Sequence, residues 1–171
     1  MEERMKENNL SQVAYWIKRL DMKPHPEGGF YKQIYRPEVS SEWGEFPTGR
    51  LQLTTIYYLL AGDDFSAFHR IRSTESWFYH VGGELLIYSI ENSGLICREL
   101  SSKEGGKLQL TISPDTWFAA RLKNADDFAL VSCAVSPGFD FRDFELGKAD
   151  ALVELCPQEA SLIRELCLES F

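Results

Sequence analysis

Two polar side chains, His69 and Glu75, have the types and the spacing to act together in catalysis or ligand binding. His69 lies on a predicted strand over 66–72, and Glu75 begins the next predicted strand over 75–81, after a two-residue turn. Because side chains alternate along a strand, both are expected on the same face, inside a barrel. A histidine and a carboxylate that converge in an apolar cavity can share a metal ion or act as an acid–base pair. The alternative is a buried structural histidine whose ring hydrogen-bonds to Glu75.

The other two histidines are predicted to lie away from this pair. His80 alternates to the opposite strand face from Trp77 and Tyr79, so we expect it on the outside of the barrel or at an interface. His25 lies in the Pro-flanked stretch HPEGG, where a structural role in a turn is expected.

Most of the chain between Phe30 and Ser136 has the period of β-strands. Short runs rich in aromatic and β-branched residues alternate with turn sequences such as AGDD, ENSG and SSKEGG. The predicted strands are 29–36, 51–60, 66–72, 75–81, 84–90, 95–100, 107–112, 116–122 and 128–135. This spacing, about 8–12 residues without intervening helices, predicts a mainly all-β antiparallel sandwich or barrel.

Helical periodicity is confined to the two ends of the chain. A short amphipathic helix is predicted over about 9–20, with Asn9 and Gln12 as a variant capping box, and further helices over about 148–169. The stretch from Pro37 to Arg50 lacks a pattern and is predicted to be a loop.

Composition and charge exclude several classes of protein. The chain has 171 residues, the usual size of one domain, and a net charge of −8, which opposes binding to nucleic acids or anionic membranes. The four cysteines contain no C-x-x-C pair, which is typical of reduced thiols in a cytoplasmic protein. No run reaches the roughly 20 apolar residues of a membrane helix. We therefore expect a cytoplasmic protein whose partner is a small molecule.

Three motifs carry a resemblance to a known superfamily. They are HPEGGFY at 25–31, the pair Phe68-His69-Arg70 and Glu75-x-Trp77, and SPGFDF at 136–141 followed by Asp143-Phe144-Glu145-Leu146. The sequence resembles the cupins, and within them a small single-domain branch similar to sugar-epimerase-like cupins. The resemblance implies one domain over 1–171, a double-stranded β-helix (jelly-roll barrel) over about 28–145, a homodimer, and a pocket inside one barrel mouth.

The sequence departs from the usual cupin metal site. That pattern has two histidines separated by one residue and then a glutamate, whereas here His69 has only Ala67 or Ile71 as its neighbour on the same face. Ala119 stands where the last histidine ligand is expected. The resemblance therefore implies that no cofactor is needed, with a divalent metal held by His69 and Glu75 as the alternative.

The leading hypothesis is an isomerase or epimerase that acts on a sugar-like or keto substrate. His69, oriented by Glu75, is the candidate base, and Tyr79 the candidate acid, although Tyr57 is not distinguished from it. The aromatic residues that are candidates for the pocket wall, or alternatively for core filling, are Tyr57 or Tyr58, Trp77, Trp117, Phe139 and Phe141. Alternative hypotheses are a noncatalytic metabolite-binding or sensory cupin and, more weakly, a metal-dependent oxygenase.

Four arginines are candidates for a cationic rim around the pocket: Arg36, Arg50, Arg70 and Arg72. Arg70 and Arg72 alternate to the face opposite His69, so we expect them outside the cavity.

Overall fold

The computed structural model describes residues 2–38 and 50–168, with side chains from Asn9 onward. Most of the predicted loop, residues 39–49, lies outside the described residues, as does position 169 at the predicted end of the last helix.

Within the described residues the chain forms a long helix, a succession of antiparallel strands, and two short helices. The helices are α1 (Glu2–Leu20), α2 (Ala149–Leu155) and α3 (Ala160–Glu165). The strands are β1 (Lys23–Pro24), β2 (Phe30–Tyr35), β3 (Thr54–Ala61), β4 (Phe65–Arg70), β5 (Thr74–Gly82), β6 (Leu85–Glu91), β7 (Gly94–Leu100), β8 (Gln109–Ile112), β9 (Trp117–Leu122), β10 (Phe128–Ser136) and β11 (Glu145–Leu146). Short 3-10 helices cover Phe141–Asp143 and Pro157–Glu159.

The strands build two antiparallel sheets that face each other. One sheet has the order β1-β2-β3-β10-β5-β8, and the other has the order β11-β4-β9-β6-β7. The main core lies between them, with Tyr58 and Trp77 from the first sheet and Ile87 and Phe118 from the second. This arrangement is the predicted jelly-roll barrel.

The helices cover the outer faces of the sheets. Side chains of α1, among them Val13 and Ile17, pack on Leu59 and Phe128 of the first sheet. The helices α2 and α3 bury Leu152, Ile163 and Leu166 against Phe68 and Tyr88 of the second sheet. Each sheet therefore has two covered faces, which explains the continuous apolar stretches in β3 and β10. Among the described helices, none is both long and apolar enough to cross a membrane.

The predicted start of the first helix was wrong. Helix α1 begins at Glu2, not near residue 9, so Asn9 lies inside it and does not cap it. The Asn9 amide instead donates hydrogen bonds to the Asp126 carbonyl (2.9 Å) and the Asp127 carboxylate (3.1 Å). Residues of high helix propensity in the segment EERMKE extend the helix toward the N-terminus. The two-residue strands β1 and β11 are too short for periodicity to reveal.

Candidate functional site

A cavity opens between the two sheets at one end of the barrel. Its volume is about 110 Å³. Its lining comes from the turn before β2 (His25, Pro26, Glu27), from β2 and the next residue (Tyr31, Gln33, Arg36), from β3 (Thr54, Ile56, Tyr58), from β4 and β5 (His69, Glu75, Trp77), and from β10 and the segment after it (Cys133, Val135, Phe139, Phe141).

Strand alternation explains how most of the lining residues reach the cavity. On β3, Tyr58 points inward, while the neighbouring Tyr57 packs on the opposite face with the residues of α1. On β4, His69 faces the cavity and Phe68 packs under the C-terminal helices. Glu75 and Trp77 alternate inward from β5. The structure therefore brings His69 and Glu75 into one cavity.

The turn HPEGG supplies two cavity residues, His25 and Glu27, that the sequence interpretation did not assign to the site. The His25 amide donates to the Gly29 carbonyl (2.9 Å), and the Gly28 amide donates to the His25 carbonyl (3.1 Å). The Tyr58 hydroxyl donates to the Gly28 carbonyl (2.8 Å), which ties the turn to β3. This compact turn projects both side chains into the cavity. The signal that could have found them was the His-x-Glu spacing inside the motif itself.

Two imidazoles and two carboxyl groups line the cavity, those of His25, Glu27, His69 and Glu75. His69 Nδ1 lies 3.4 Å from Glu27 Oε2, and His25 Nδ1 lies 4.0 Å from the same oxygen. The Ser66 hydroxyl donates to Glu27 Oε2 at 3.0 Å. His69 Nδ1 also lies 2.8 Å from the carbonyl oxygen of Ala67. Since a carbonyl can only accept, Nδ1 carries the hydrogen of the neutral ring and Nε2 carries the lone pair.

Burial brings the two carboxyl groups to the neutral range. It raises the pKa of Glu27 to about 7 and the pKa of Glu75 to about 7. The neighbouring His69 ring and a hydrogen bond from the Cys133 thiol oppose the rise in the pKa of Glu75. Burial also lowers the pKa of His25 and of His69, so both rings favour the neutral form. Carboxyl groups that exchange protons near pH 7, beside neutral imidazoles, are suited to acid–base catalysis.

Three residues predicted for the site do not line the cavity. The Tyr79 side chain is on the inward face of β5 but lies further along the strand, where its hydroxyl donates to the Gly82 carbonyl. Tyr57 lies beneath α1. Trp117 packs on the outer face, with the Arg70 guanidinium 4.5 Å from its ring centre. Sequence periodicity gives the face of a side chain but not its distance along the barrel, and Tyr79 shows that difference.

The segment after β10 forms an aromatic wall at the cavity mouth. The ring centres of Phe139 and Phe141 lie 5.0 Å apart, and both residues line the cavity. A buried ion pair holds this segment, because Arg50 NH2 lies 2.5 Å from Asp143 Oδ2. The Arg50 guanidinium also donates to the Gly138 carbonyl (3.3 Å). Phe139 and Phe141 therefore form part of the cavity wall, and their contact with a substrate stays a prediction.

The cavity residues do not fit the four-ligand metal site of many cupins. In the described ranges no three His, Cys, Asp or Glu side chains are arranged to hold a metal ion. The register pairs His69 with Phe118, whose ring lies 4.2 Å from the imidazole. Ala119 packs in the outer cluster. An aromatic side chain, which cannot bind a metal ion, therefore occupies the interior position across from His69.

The fold and the site together define a class of protein. Two antiparallel sheets that enclose a polar cavity at one end of a jelly-roll barrel are the features of a cupin. The chain belongs to the family described as Cupin superfamily (DUF985), whose model matches residues 14–147.

Solved structures agree with this assignment. A hypothetical protein from Leishmania major is 33% identical, with 91% of this chain and 98% of that one covered and a TM-score of 0.82. A protein from Shewanella oneidensis is 35% identical, with 91% and 97% covered and a TM-score of 0.80. A cupin 2 domain-containing protein from Halorhodospira halophila, at 17% identity, with 86% and 89% covered and a TM-score of 0.59, shares the fold. No curated protein matches the chain.

Proposed function

We propose that the protein is an isomerase or epimerase that moves a proton on a carbon beside the carbonyl group of a small substrate, without a metal. The observation that carries this proposal is the meeting of two imidazoles and two carboxyls in one buried cavity. Both carboxyl groups, Glu27 and Glu75, have a pKa of about 7. A group with such a pKa can both accept and release a proton at neutral pH.

The hydrogen bonds suggest a role for each group. His69 is held through Nδ1 by the Ala67 carbonyl and lies beside Glu27, so its Nε2 lone pair serves as the base. Glu75 serves as the acid, because burial keeps much of its population protonated near pH 7. Glu27 positions the His69 ring. This assignment replaces Tyr79 as the acid.

The reaction consists of two proton transfers, one from the substrate carbon and one back to it. Nε2 of His69 takes the proton from the substrate carbon, and the electron pair of the broken C–H bond moves to the carbonyl oxygen as an enolate. The Glu75 carboxyl then delivers its proton to the opposite face of the same carbon and becomes a carboxylate. Exchange with water returns His69 to its neutral form and Glu75 to its protonated form.

Deuterium uptake tests this function. A library of keto acids and keto sugars is incubated with the protein in D₂O, and NMR follows the loss of the proton beside each carbonyl. We expect exchange by the wild-type protein, with losses of about 100-fold or more in His69→Gln and Glu75→Gln. Matched controls outside the cavity are His80→Gln and Glu145→Gln, which are expected to keep the wild-type rate. Unchanged exchange in both cavity variants would contradict the proposal.

A noncatalytic metabolite-binding cupin is the second candidate. Much of the cavity wall is aromatic, which favours this candidate. The Tyr58 hydroxyl also favours it, because it donates its hydrogen to the Gly28 carbonyl and not into the cavity. A compound that binds in the cavity and never exchanges its protons would support this candidate over the enzyme.

A further inference from the structure

Among the described residues that line the cavity, one arginine stands at the mouth: Arg36, directly after β2. It is exposed, whereas Glu27 and Glu75 are buried. In the described part of the chain no hydrogen bond or ion pair holds its guanidinium group. No described residue therefore competes for this guanidinium group with a group that enters from solvent.

A β-bulge explains why a cation occupies this position. The register of β2 on β3 pairs Gln33 with Ile56 and then Tyr35 with Thr55, so β2 contains one extra residue at this point. Continued by one residue, the register sets Arg36 opposite Thr54, and both of these side chains line the cavity. Without the extra residue Tyr35 would stand opposite Thr54. The bulge therefore turns Tyr35 outward and aims Arg36 at the mouth.

The other candidate arginines do not contribute to this rim. Arg70 forms an ion pair with Glu145 (2.6 Å) on the outer side of the barrel. The Arg50 side chain is buried and forms an ion pair with Asp143. Arg72 is exposed and does not line the cavity. Among the described residues that line the cavity, Arg36 is therefore the only lysine or arginine.

We infer that the cavity's ligand carries an anionic oxygen group, a carboxylate or a phosphate ester, which Arg36 binds at the mouth. An arginine fork binds the paired oxygens of either group. The net charge of −8 does not prevent such a contact, because salt screens distant charges beyond about 8 Å.

The charge distribution also orients the ligand. The buried carboxyl groups of Glu27 and Glu75 would repel an anion, whereas the exposed Arg36 attracts it, so the anionic group lies beside Arg36 and the uncharged carbonyl enters first. This orientation rests on the proposed function, since it brings the carbonyl to His69 and Glu75. The substrate class is then a small carbonyl compound with its anionic group some atoms away from the reacting carbon.

Two pairs of probes test the inference by binding alone. Levulinate is compared with its neutral methyl ester, and dihydroxyacetone phosphate with dihydroxyacetone, by NMR titration of the ¹⁵N-labelled protein. We expect at least one anion to bind, at least about tenfold more tightly than its neutral partner. The pair that shows the preference identifies the anion as a carboxylate or a phosphate ester.

Variants test whether Arg36 makes the contact. Arg36→Gln should weaken anion binding about tenfold, and Arg36→Lys should weaken it less. The control Arg164→Gln, which removes an exposed arginine on α3, should leave anion binding unchanged.

Three results would overturn the inference: neither anion binds the wild-type protein, anion and neutral partner bind equally, or Arg36→Gln binds the anion like the wild type. The amide spectrum shows whether each variant is folded. Binding and proton exchange are separate measurements, so the two proposals can fail separately. Anion binding through Arg36 without deuterium uptake contradicts only the enzyme, and exchange of neutral compounds that is insensitive to Arg36→Gln contradicts only the anion site.

Discussion

At the scale of single residues, the site depends on carboxyl groups that burial keeps partly protonated. Glu75 has its ordinary pKa of 4.5 when the chain is unfolded and a pKa of about 7 when it is folded. The folded state therefore binds more protons than the unfolded state between these two values. The stability associated with the protonated carboxyl is fully present below pH 4.5 and is lost as the pH rises through about 7.

Replacing Glu75 with glutamine should remove this pH dependence. From about pH 5 to about pH 8 we expect the wild-type protein to lose up to about 3 kcal/mol more unfolding free energy than Glu75→Gln. Urea unfolding at both pH values measures the difference. The lowered pKa values of His25 and His69 oppose this trend at the acidic end, and the comparison with the variant isolates the carboxyl. Glu145→Gln, outside the cavity, is the control, and parallel behaviour of Glu75→Gln and wild type would contradict the prediction.

At the scale of elements, the turn before β2 depends on a glycine. Gly28 has φ +115°, and a Cβ built on it would lie 2.1 Å from the Phe65 carbonyl oxygen. Because backbone atoms of β4 cannot yield easily, we expect Gly28→Ala to cost about 3 kcal/mol of unfolding free energy. The matched control is Gly105→Ala, with φ +84° and nothing within 4 Å, which should cost only about 1 kcal/mol. Equal losses in the two variants, measured by urea unfolding, would show that the contact with β4 does not matter.

The segment that carries Phe139 and Phe141 is held by a buried ion pair. Without Asp143 the buried Arg50 keeps only the longer contact with Asp140 (3.8 Å), so Asp143→Ala should cost about 3 kcal/mol. The exposed pair Arg70 and Glu145 has more than a third of each side chain in solvent. We therefore expect Glu145→Ala to cost less than about 1 kcal/mol. Thermal unfolding of both variants checks the difference, and a neutral Asp143→Ala would contradict the structural role of the pair.

At the scale of the whole molecule, we predict that the purified protein contains little metal. Although His25 and Glu27 lie in the cavity with His69 and Glu75, no three of the described His, Cys, Asp or Glu side chains are arranged to hold one ion, and two ligands are too few to bind a divalent ion tightly. We expect elemental analysis of the protein, purified without added metal, to find much less than one ion per chain. One equivalent of iron, nickel, manganese or zinc, lost in His69→Ala, would contradict the prediction and make a metal-dependent oxygenase the leading hypothesis.

We also propose that the chain forms a homodimer. β1 pairs only with Phe30 and Tyr31, and beyond them the outer edge of β2 has no partner strand among the described residues. Ile34 and Tyr35 on this strand are 53% and 49% exposed. An unpaired edge with exposed apolar side chains favours association.

Light scattering should give twice the chain mass of 19.6 kDa. Ile34→Lys should shift the equilibrium to the monomer, whereas Leu10→Lys, at an exposed leucine of α1, should not. A monomer at micromolar concentration would show that the homodimer prediction is wrong. A dimer that persists in Ile34→Lys would exclude this edge as the interface.

The architecture could be predicted from the amino-acid sequence, because strand and helix periodicity are local properties. All nine predicted strands are present, with their ends within about three residues of the predicted ones, and the helices lie at the two ends of the chain as predicted. Alternation along the predicted strands also assigned His69, Glu75 and Trp77 to one face, since that parity depends only on neighbouring residues.

Which residues share the cavity depends on how the whole barrel packs, and local patterns do not reveal it. His25 and Glu27 reach it from a turn, where no strand alternation applies. Tyr79 has the inward parity but lies at another level of the barrel, and the choice of Tyr58 over Tyr57 needed the register of β3 on its neighbours. The bulge that aims Arg36 at the mouth is a property of two paired strands, so the period of β2 alone cannot reveal it. Distances between strands are set by packing of the whole barrel, and they decide the chemistry of its site.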